Sequence, residues 1–273
     1  MSDAEPASAR PAEPVSARPA EPVPARPAAT ILLLRDGATG LEVFMVVRHR
    51  QIEFAGGALV FPGGRVEPDD HAIAGSDPLD AFRIAGIRET FEECGVLLAR
   101  PRGTAALLPA GQLLAVEARH RAALAAGRIG LSAVLLAEAL EPAPDALVHF
   151  AHWITPASRP KRFDTHFFLA AAPPDQLAVH DGGEAVDSVW INPATAVAET
   201  NAGQRTLVFA TRKVLEKLAR SATVALAMEA ARATAIVTVQ PEMVRTDAGW
   251  RLRIPVAADY GGELFEVLDA PAM

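Results

Sequence analysis

Three glutamates, Glu89, Glu92 and Glu93, stand within five positions of the stretch RETFEECGV at residues 88–96. If this stretch is helical, spacings of three and four residues place the three carboxylates on one face. Like charges at those spacings repel by roughly 0.2–0.5 kcal/mol per pair. Carboxylate oxygens are the ligands that hard divalent cations take, and a bound cation would relieve the repulsion. The cluster is therefore a candidate metal site, although its spacing alone is also typical of a solvated helix face.

The neighbouring residues favour the metal site. Arg88 directly precedes the acids, and Gly63–Gly64 forms an upstream turn where the absence of side chains permits close approach to the backbone. The segment from Asp77 to Gly95 has the signals of one helix, with the aspartate as N-cap and the glycine as its end. Apolar residues at helical spacing predict one buried stripe beside the acids. These are Ile84, Ile87, Phe91 and Cys94.

The residues from Gly64 to Val96 resemble the Nudix box, which is a glycine, an acid after five residues, a spacer, and R-E-aliphatic-x-E-E-x-G-aliphatic. The positions that match its second half are Arg88, Glu89, Glu92, Glu93, Gly95 and Val96. Asp70 stands where the family has glutamate, and Thr90 replaces an aliphatic residue. Seventeen residues separate Asp70 from Arg88 where the usual box has seven, so an insertion precedes an intact second half.

The interrupted box, with FPGGRVEP, AFRIAGIRETFEECGVLL and the later HWITP and RFDTHFFLA, resembles the branch that contains the peroxisomal coenzyme A diphosphatases of animals. The similarity runs over roughly residues 30–215. It implies an α/β fold, the Nudix α/β/α sandwich with a mixed β-sheet. It also implies Mg²⁺- or Mn²⁺-dependent hydrolysis of a diphosphate linkage. The first expected substrate is coenzyme A or an acyl-coenzyme A, giving 3′,5′-ADP and phosphopantetheine or its acyl form.

Two alternatives to this function remain. Within enzymes, the substrate could instead be ADP-ribose, a dinucleotide or a nucleotide-sugar, because the box by itself identifies only the diphosphate class. In a different class, the domain would bind a nucleotide as a non-catalytic regulator. The presence of both Glu92 and Glu93 argues against that second alternative.

The resemblance further implies roles for individual residues. Arg88 would orient the acidic cluster, and a backbone carbonyl of the Gly63–Gly64 turn would join the metal ligands. The implied acidic ligands and catalytic groups are Glu89, Glu92, Glu93 and, in the loop GGEAVDSVW, Glu184. For Glu184 an ordinary loop acid is the alternative. Asp164 in RFDTHFF is a weaker candidate, which could simply hydrogen-bond a neighbouring turn.

Several basic residues, two histidines and the cysteine each have a functional and a simpler structural interpretation. Basic side chains near the expected cleft suit phosphate, with plain surface positions as the alternative for each. These are Arg48, Arg50, Arg65, Arg159, Lys161 and Arg162. His149 and His152 form HxxH, but without a third ligand motif nearby they are predicted to pack or lie at the surface rather than bind zinc. Cys94 on the apolar stripe is predicted to be a core residue.

The elements that must position these residues alternate between strands and helices. Residues 1–28 hold three octads, AEPASARP, AEPVSARP and AEPVPARP, whose prolines predict a disordered tail, with partner binding as the alternative. The Nudix domain is predicted over 29–273, beginning with a hairpin in TILLLRDGATGLEVFMVVRHR and carrying an inserted helical segment of two helices over about 104–142. Strands follow in HFAHWITP, RFDTHFFLAAA and SVWINP, then helices in PATAVAE, TLVFATRKVLEKLARS and SATVALAMEAARA. A last hairpin is predicted from AIVTVQPEMV and WRLRIPV.

Composition limits the partners and the compartment. The chain has 273 residues, is 50% hydrophobic and carries a net charge of −7, which disfavours nucleic acid and anionic lipid. One cysteine excludes an intrachain disulfide, and no apolar run approaches the roughly 20 residues of a membrane span. We therefore expect a cytoplasmic protein whose partner is a small nucleoside-diphosphate conjugate, with no nucleic acid and no membrane. For the oligomeric state, a homodimer is kept as an alternative to a monomer.

Overall fold

A mixed β-sheet with helices on both faces forms the body of the protein, and the computed structural model describes residues 23–48, 57–176, 178 and 185–266. In chain order, the strands are β1 (Arg26–Gly37), β2 (Gly40–Arg48), β3 (Leu59–Val60), β4 (Gly63–Arg65), β5 (Ala99–Pro101), β6 (Leu140–Pro142), β7 (Val148–Ile154), β8 (Phe163–Ala171), β9 (Ala185–Ile191), β10 (Thr238–Val239), β11 (Glu242–Thr246), β12 (Gly249–Arg253) and β13 (Leu264–Glu266). The helices are α1 (Pro68–Ile73), α2 (Asp80–Cys94), α3 (Ala110–Ala125), α4 (Leu131–Ala137), α5 (Pro193–Asn201), α6 (Phe209–Leu218) and α7 (Val224–Ala233). The predicted α/β sandwich with a mixed sheet is confirmed.

The main sheet has eight strands in the order β10-β7-β8-β1-β2-β3, with β4 also paired to β1 and β9 also paired to β2. Strand β1 runs parallel to β8, and β10 runs parallel to β7, while the other pairs are antiparallel. The β1–β2 hairpin closes where Gly37 pairs with Gly40, as its turn residues predicted. Ala29 of β1 lies opposite Gly64 of β4 on one side and opposite His166 of β8 on the other.

Strand β1 divides the interior into two cores, because successive side chains point to opposite faces of a sheet. Ile31 and Leu33 face a core that contains the buried residues of α2, α3 and α4. Leu32 and Leu34 face a second core that contains those of α6 and α7. Helices therefore cover both faces, and the acidic helix α2 lies on the face of the inserted segment.

Helix α2 is buried on most of its circumference. The four residues of the predicted stripe are all buried, which confirms that part of the prediction. Gly86 is needed where the helix passes β1, because a Cβ atom there would lie 2.6 Å from Ile31 Cδ1. Thr90, at the position where the family has an aliphatic residue, is buried, and its hydroxyl donates to the Gly86 carbonyl at 2.8 Å. The helix thereby accommodates a hydroxyl in its apolar surroundings.

The ends of α2 agree with the prediction at one terminus only. Gly95 ends the helix with a φ of 72°, a left-handed conformation that glycine adopts without strain. At the other end the N-cap residue is Leu79, so the prediction of Asp77 as N-cap is wrong by two positions. Asp77 instead accepts a hydrogen bond from the Leu79 N–H at 2.8 Å and pairs with Arg83. The aspartate therefore closes a turn that precedes the helix.

The predicted segment 104–142 does hold two helices, α3 and α4, and the short strands β5 and β6 pair antiparallel at its base. The C-terminal hairpin is also present as β11 and β12. Its first strand is shorter than predicted, because Pro241 has no N–H to donate and interrupts the segment. The two residues of β10, before that proline, pair with β7 of the main sheet instead.

The described structure begins within the predicted tail. Strand β1 starts at Arg26, so the last residues of the segment 1–28 take part in the sheet, while residues 1–22 lie outside the described part. Over the described ranges, none of the helices combines the length and the apolar character that crossing a membrane requires.

Candidate functional site

The glutamates of α2 lie against the glycine turn that carries β4. The Gly63 N–H donates to Glu93 Oε2 at 3.1 Å. A Cβ atom at Gly64 would overlap the Glu89 carboxylate, so only glycine admits that carboxylate at this point. Both close contacts depend on the pairing of β4 with β1, which holds the turn beneath the helix. The structure thus brings together the turn and the acids that the sequence predicted to form one site.

Arg88 is the centre of this acidic cluster. It is 3% exposed, and each of its N–H groups faces an oxygen. Its Nε and Nη2 donate to the two carboxylate oxygens of Asp70, both at 3.1 Å. Nη2 also donates to the Arg65 carbonyl at 2.7 Å, and Nη1 donates to Glu89 at 3.0 Å and Glu92 at 3.2 Å. A buried guanidinium is stable only when it is paired in this way, so the arginine fixes the positions of the acids around it.

Asp70 reaches Arg88 from helix α1, of which it is the third residue. This aspartate is fully buried, and one of its oxygens accepts the Glu67 N–H at 2.8 Å in the capping box that begins the helix. The first acid of the motif therefore binds the side of the arginine opposite to the glutamates. Its shorter side chain, compared with the glutamate of the family, makes the contact from the helix itself.

The electrostatics of the cluster fit a divalent cation. Burial and the neighbouring Glu89 charge raise the pKa of Glu92 to about 7, although Arg88 opposes the shift. Burial also raises the pKa of Glu89. For Arg88, burial lowers the pKa, but the surrounding carboxylates outweigh it and keep the guanidinium charged. One cation thus faces several acids, and the side-chain donors left for a metal are oxygens, which Mg²⁺ and Mn²⁺ prefer.

Several predicted site residues lie beyond what the structure describes. Glu184 and Arg50 fall outside the described residues, and Arg48 ends β2 with its side chain outside the description. Arg65 is exposed next to the cluster, while its carbonyl binds Arg88. Lys161 is exposed near the Phe163 ring, with 6.0 Å between its Nζ and the ring centroid. Their contacts with phosphate stay predictions.

Arg162, predicted as a phosphate contact, lies buried against the backbone. Its side chain is buried, and its guanidinium donates to the Val23 carbonyl at 2.7 Å and the Thr155 carbonyl at 3.1 Å. These contacts hold the chain that leads into β1 against the start of β8. Because the guanidinium is engaged with backbone oxygens, the structure argues against Arg162 as a phosphate contact.

Asp164 does not lie with the glutamates. It projects from β8 next to His152 of β7, and the shortest distance between His152 Nε2 and an Asp164 oxygen is 2.5 Å. His166 lies two residues further along β8, directly opposite His152 in the sheet. The HxxH pattern did not predict this cluster, because two of its members come from the neighbouring strand. Knowledge of the β7–β8 register would have found it.

Comparisons with known proteins agree with this geometry. The family model described as the NUDT19 Nudix domain matches residues 74–214, just over half of the chain. The acyl-coenzyme A diphosphatase NUDT19 of Homo sapiens is 36% identical over 140 residues, which cover 48% of this chain and 37% of the human protein. The putative nudix hydrolase 7 of Caenorhabditis elegans is 30% identical over 169 residues, which cover 62% of this chain and 52% of that protein. The chain thus spans about half, or less, of the length of the curated relatives it matches.

A solved structure extends the similarity to the fold. The crystal structure of a NUDIX hydrolase from Alicyclobacillus acidocaldarius is 28% identical and superimposes with a TM-score of 0.61. The match covers 76% of this chain and 96% of that one. The shared fold therefore includes most of the sheet and helices described above.

Proposed function

The chain belongs to the Nudix hydrolase family, and we propose that it hydrolyses the diphosphate linkage of coenzyme A or an acyl-coenzyme A with the help of Mg²⁺ or Mn²⁺. The products would be 3′,5′-ADP and 4′-phosphopantetheine or its acyl form. The observation that carries the proposal is the position of Arg88, which binds Asp70, Glu89 and Glu92 together beside the glycine turn. The choice of coenzyme A is supported by the similarity to the proteins named acyl-coenzyme A diphosphatase.

The residues that would hold the cation are those around the turn. They are Glu89, Glu92, Glu93 and a backbone carbonyl of Gly63–Gly64, with Glu184 as a further candidate. Bound there, the cation would supply positive charge to offset the charge that develops on the diphosphate during hydrolysis. The protein, at a net charge of −7, otherwise offers an unfavourable surface to an anionic substrate.

The chain's own contribution is to hold the carboxylates in one geometry before the substrate arrives. Three of them project from a single buried helix, and Arg88 restrains two through hydrogen bonds. The Gly63 N–H restrains the third, Glu93, through its Oε2. Since well-positioned groups need little rearrangement in the transition state, this rigidity favours catalysis. The exposed basic residues Arg65, Arg159 and Lys161 are candidates for contact with the substrate phosphates, and Arg48 and Arg50 stay candidates as well.

A comparison of three substrates tests the choice of coenzyme A. The full chain would be assayed with coenzyme A, dephospho-coenzyme A and ADP-ribose at equal Mg²⁺ concentration. We expect the highest kcat/KM for coenzyme A and a loss of at least about tenfold for dephospho-coenzyme A, because an arginine or lysine that binds the 3′-phosphate would be left unpaired. If ADP-ribose is hydrolysed tenfold better than coenzyme A, the coenzyme A proposal is wrong and the family assignment alone stands.

Two variants test whether Arg65 or Lys161 binds the 3′-phosphate. Arg65→Gln and Lys161→Gln each remove one exposed positive charge while keeping a polar side chain of similar length. The variant that removes the phosphate contact should lose kcat/KM for coenzyme A and keep it for dephospho-coenzyme A. Equal losses for both substrates would indicate a contact with the diphosphate instead.

A further inference from the structure

We propose that His152, Asp164 and His166 form a second metal site, separate from the glutamate cluster, that takes Zn²⁺ or a similar borderline transition metal. One ligand atom from each of the three residues lies within 4.8 Å of those of the other two. Two imidazole nitrogens and one carboxylate are a ligand set that zinc uses, with a fourth position left for water. We call these three residues the histidine cluster.

The sheet brings the members of this cluster together. His152 and His166 are paired across β7 and β8, and their rings stack with centroids 3.9 Å apart. Binding of one ion by both Nε2 atoms requires one ring to rotate out of this stack, because a metal lies close to the plane of each imidazole that it binds. Asp164 lies on the same face of β8, because residues two apart in a strand share a face. One of its carboxylate oxygens lies 2.5 Å from His152 Nε2, within hydrogen-bond distance. A metal at the cluster would take the place of this direct contact.

Both imidazoles have a supporting hydrogen-bond partner on their other nitrogen. Thr238 Oγ1 of β10 lies 2.8 Å from His152 Nδ1, and His149 Nε2 lies 3.0 Å from His166 Nδ1. Metal-binding histidines commonly hold their second nitrogen in this way, which fixes the ring and its tautomer. In both rings the nitrogen that remains for a metal is Nε2. The HxxH histidine His149 therefore supports the cluster and need not be one of its ligands.

The exposure of the cluster also suits a metal. The His152 imidazole lies where a ligand can reach it, since the side chain of His152 is 14% exposed and its Nε2 faces the Asp164 carboxylate. The side chain of Asp164 is 33% exposed, so the cluster is open to solvent on the carboxylate side.

The histidine cluster is distinct from the glutamate cluster in place and in chemistry. His166 lies opposite Ala29, which lies opposite Gly64, so two strand spacings of about 4.8 Å separate the backbones of His166 and Gly64 by about 10 Å. Phe82 of α2 covers the His166 ring at a centroid distance of 4.3 Å, seven residues before Glu89. Nitrogen ligands favour zinc over Mg²⁺, whereas the glutamates offer only oxygens. The two sites should thus select different metals.

Cobalt absorption tests the proposal without using activity. Metal-free full-length protein would be titrated with Co²⁺, a coloured substitute for Zn²⁺, in excess Mg²⁺ that occupies the carboxylates. We expect one Co²⁺ per chain with visible absorption, displaced by Zn²⁺. Asp164→Asn and His152→Gln should each weaken it more than about 100-fold, beyond the 10–100-fold that loss of a supporting contact causes. Asp164→Asn changes a partly exposed side chain by one atom, so it should fold normally, which circular dichroism checks.

Two controls separate this site from the rest of the molecule. His120→Gln makes the same substitution at a histidine of the inserted segment that pairs with Glu138, and it should leave the cobalt signal unchanged. The double variant Glu92→Gln, Glu93→Gln should also leave it unchanged. The proposal is overturned if excess Mg²⁺ abolishes the signal, if the double variant abolishes it, or if Asp164→Asn binds Co²⁺ as tightly as the wild type.

Discussion

The glutamate cluster and the histidine cluster lie on the same face of one sheet, yet they are built in opposite ways. The three glutamates come from one helix, and Arg88 gathers two of them with Asp70 through charged hydrogen bonds. The histidine cluster comes from two paired strands and is supported by a third, which contributes Thr238. The first cluster places several carboxylates around one buried guanidinium, and the second combines two imidazole rings with a single carboxylate.

This difference determines what a sequence can reveal. A helix converts a linear pattern into a surface, so the spacing of Glu89, Glu92 and Glu93 was sufficient to predict that they converge. Strand pairing joins residues whose separation along the chain carries no information, as between His152 and His166. A site whose residues all come from one helix can be recognised as a sequence motif. A site formed across paired strands can be recognised only when the register of those strands is known.

Among these variants, Arg88→Gln should have the largest effect on stability and hydrolysis. This change leaves Asp70 buried beside acids with no opposing charge, and breaking a buried ion pair costs about 3–5 kcal/mol of folding free energy. We expect a lower free energy of unfolding in urea and loss of hydrolysis, while cobalt binding at the histidine cluster persists under folded conditions.

Arg100→Gln is the matched control for Arg88→Gln. The Arg100 guanidinium binds Asp145 at 2.6 and 2.7 Å, which is shorter than any of the contacts of Arg88 with acids. That pair is solvent-exposed, so its loss should cost less than about 1 kcal/mol. A similar free-energy loss for the two variants would show that burial does not distinguish the glutamate cluster.

A smaller and more selective effect is expected from Gly64→Ala. The added methyl group would occupy the space of the Glu89 carboxylate, the end of a flexible side chain, which would turn aside and lose its hydrogen bond with Arg88. We therefore expect kcat to fall at least about tenfold, with a smaller loss of melting temperature than Arg88→Gln causes, since misplaced catalytic groups lose rate steeply.

Gly111→Ala is the control for this glycine, because a methyl group added at Gly111 would meet no atom within 4 Å and the residue lies in helix α3. Alanine is favoured over glycine in a helix, so this variant should be neutral or slightly stabilising. Full activity in Gly64→Ala would contradict the account of the Glu89 position.

The smallest predicted effect is a difference in the pH dependence of stability, measured on chelator-treated protein. The pKa of Glu92 is raised from 4.5 to about 7, so the folded state binds the Glu92 proton more tightly than the unfolded state does. The contribution of Glu92 to the free energy of unfolding therefore falls as pH rises from 4.5 to about 7. The pKa of His149 is lowered from 6.5 to about 4, so its contribution is present above 6.5 and is lost as pH falls toward 4. Glu92 in the glutamate cluster and His149 beside the histidine cluster therefore change the stability with pH in opposite directions.

Urea unfolding near pH 5 and near pH 7 checks those signs. Relative to wild type, Glu92→Gln should gain stability more at the higher pH, and His149→Gln should gain it more at the lower pH. Shifts of the same sign in both variants would contradict the assignment of raised and lowered pKa values.

Local patterns predicted much of the fold and the proximity of the glutamates of α2 to the glycine turn. The β1–β2 hairpin, the stripe of α2, the end of α2 at Gly95 and the two inserted helices all depend on spacing or turn residues within one segment. The predicted first strand of the C-terminal hairpin failed at Pro241, because one half of that segment pairs with a distant strand. Local patterns cannot show which distant strand a segment joins.

The remaining discrepancies have the same physical origin. Asp77 has the residue type of an N-cap, but a turn before α2 uses it through its contacts with Leu79 and Arg83. Arg162 has the residue type of a phosphate contact, but backbone carbonyls of Val23 and Thr155 surround it. In both cases a charged side chain binds partners that the fold supplies, and the sequence around it does not identify them.

The most direct test of the central claim is the hydrolysis of coenzyme A by wild type and by Glu93→Gln, with 3′,5′-ADP and 4′-phosphopantetheine quantified as products. Glu229→Gln, an exposed position on α7, is the matched control. If the glutamate cluster is the hydrolytic centre, wild type and control release both products in equal amounts with Mg²⁺ and none with chelator. Glu93→Gln should lose about 10²- to 10³-fold in kcat, the loss typical of one electrostatic group, with an unchanged circular dichroism spectrum. Near-normal product release by metal-saturated Glu93→Gln would contradict the claim.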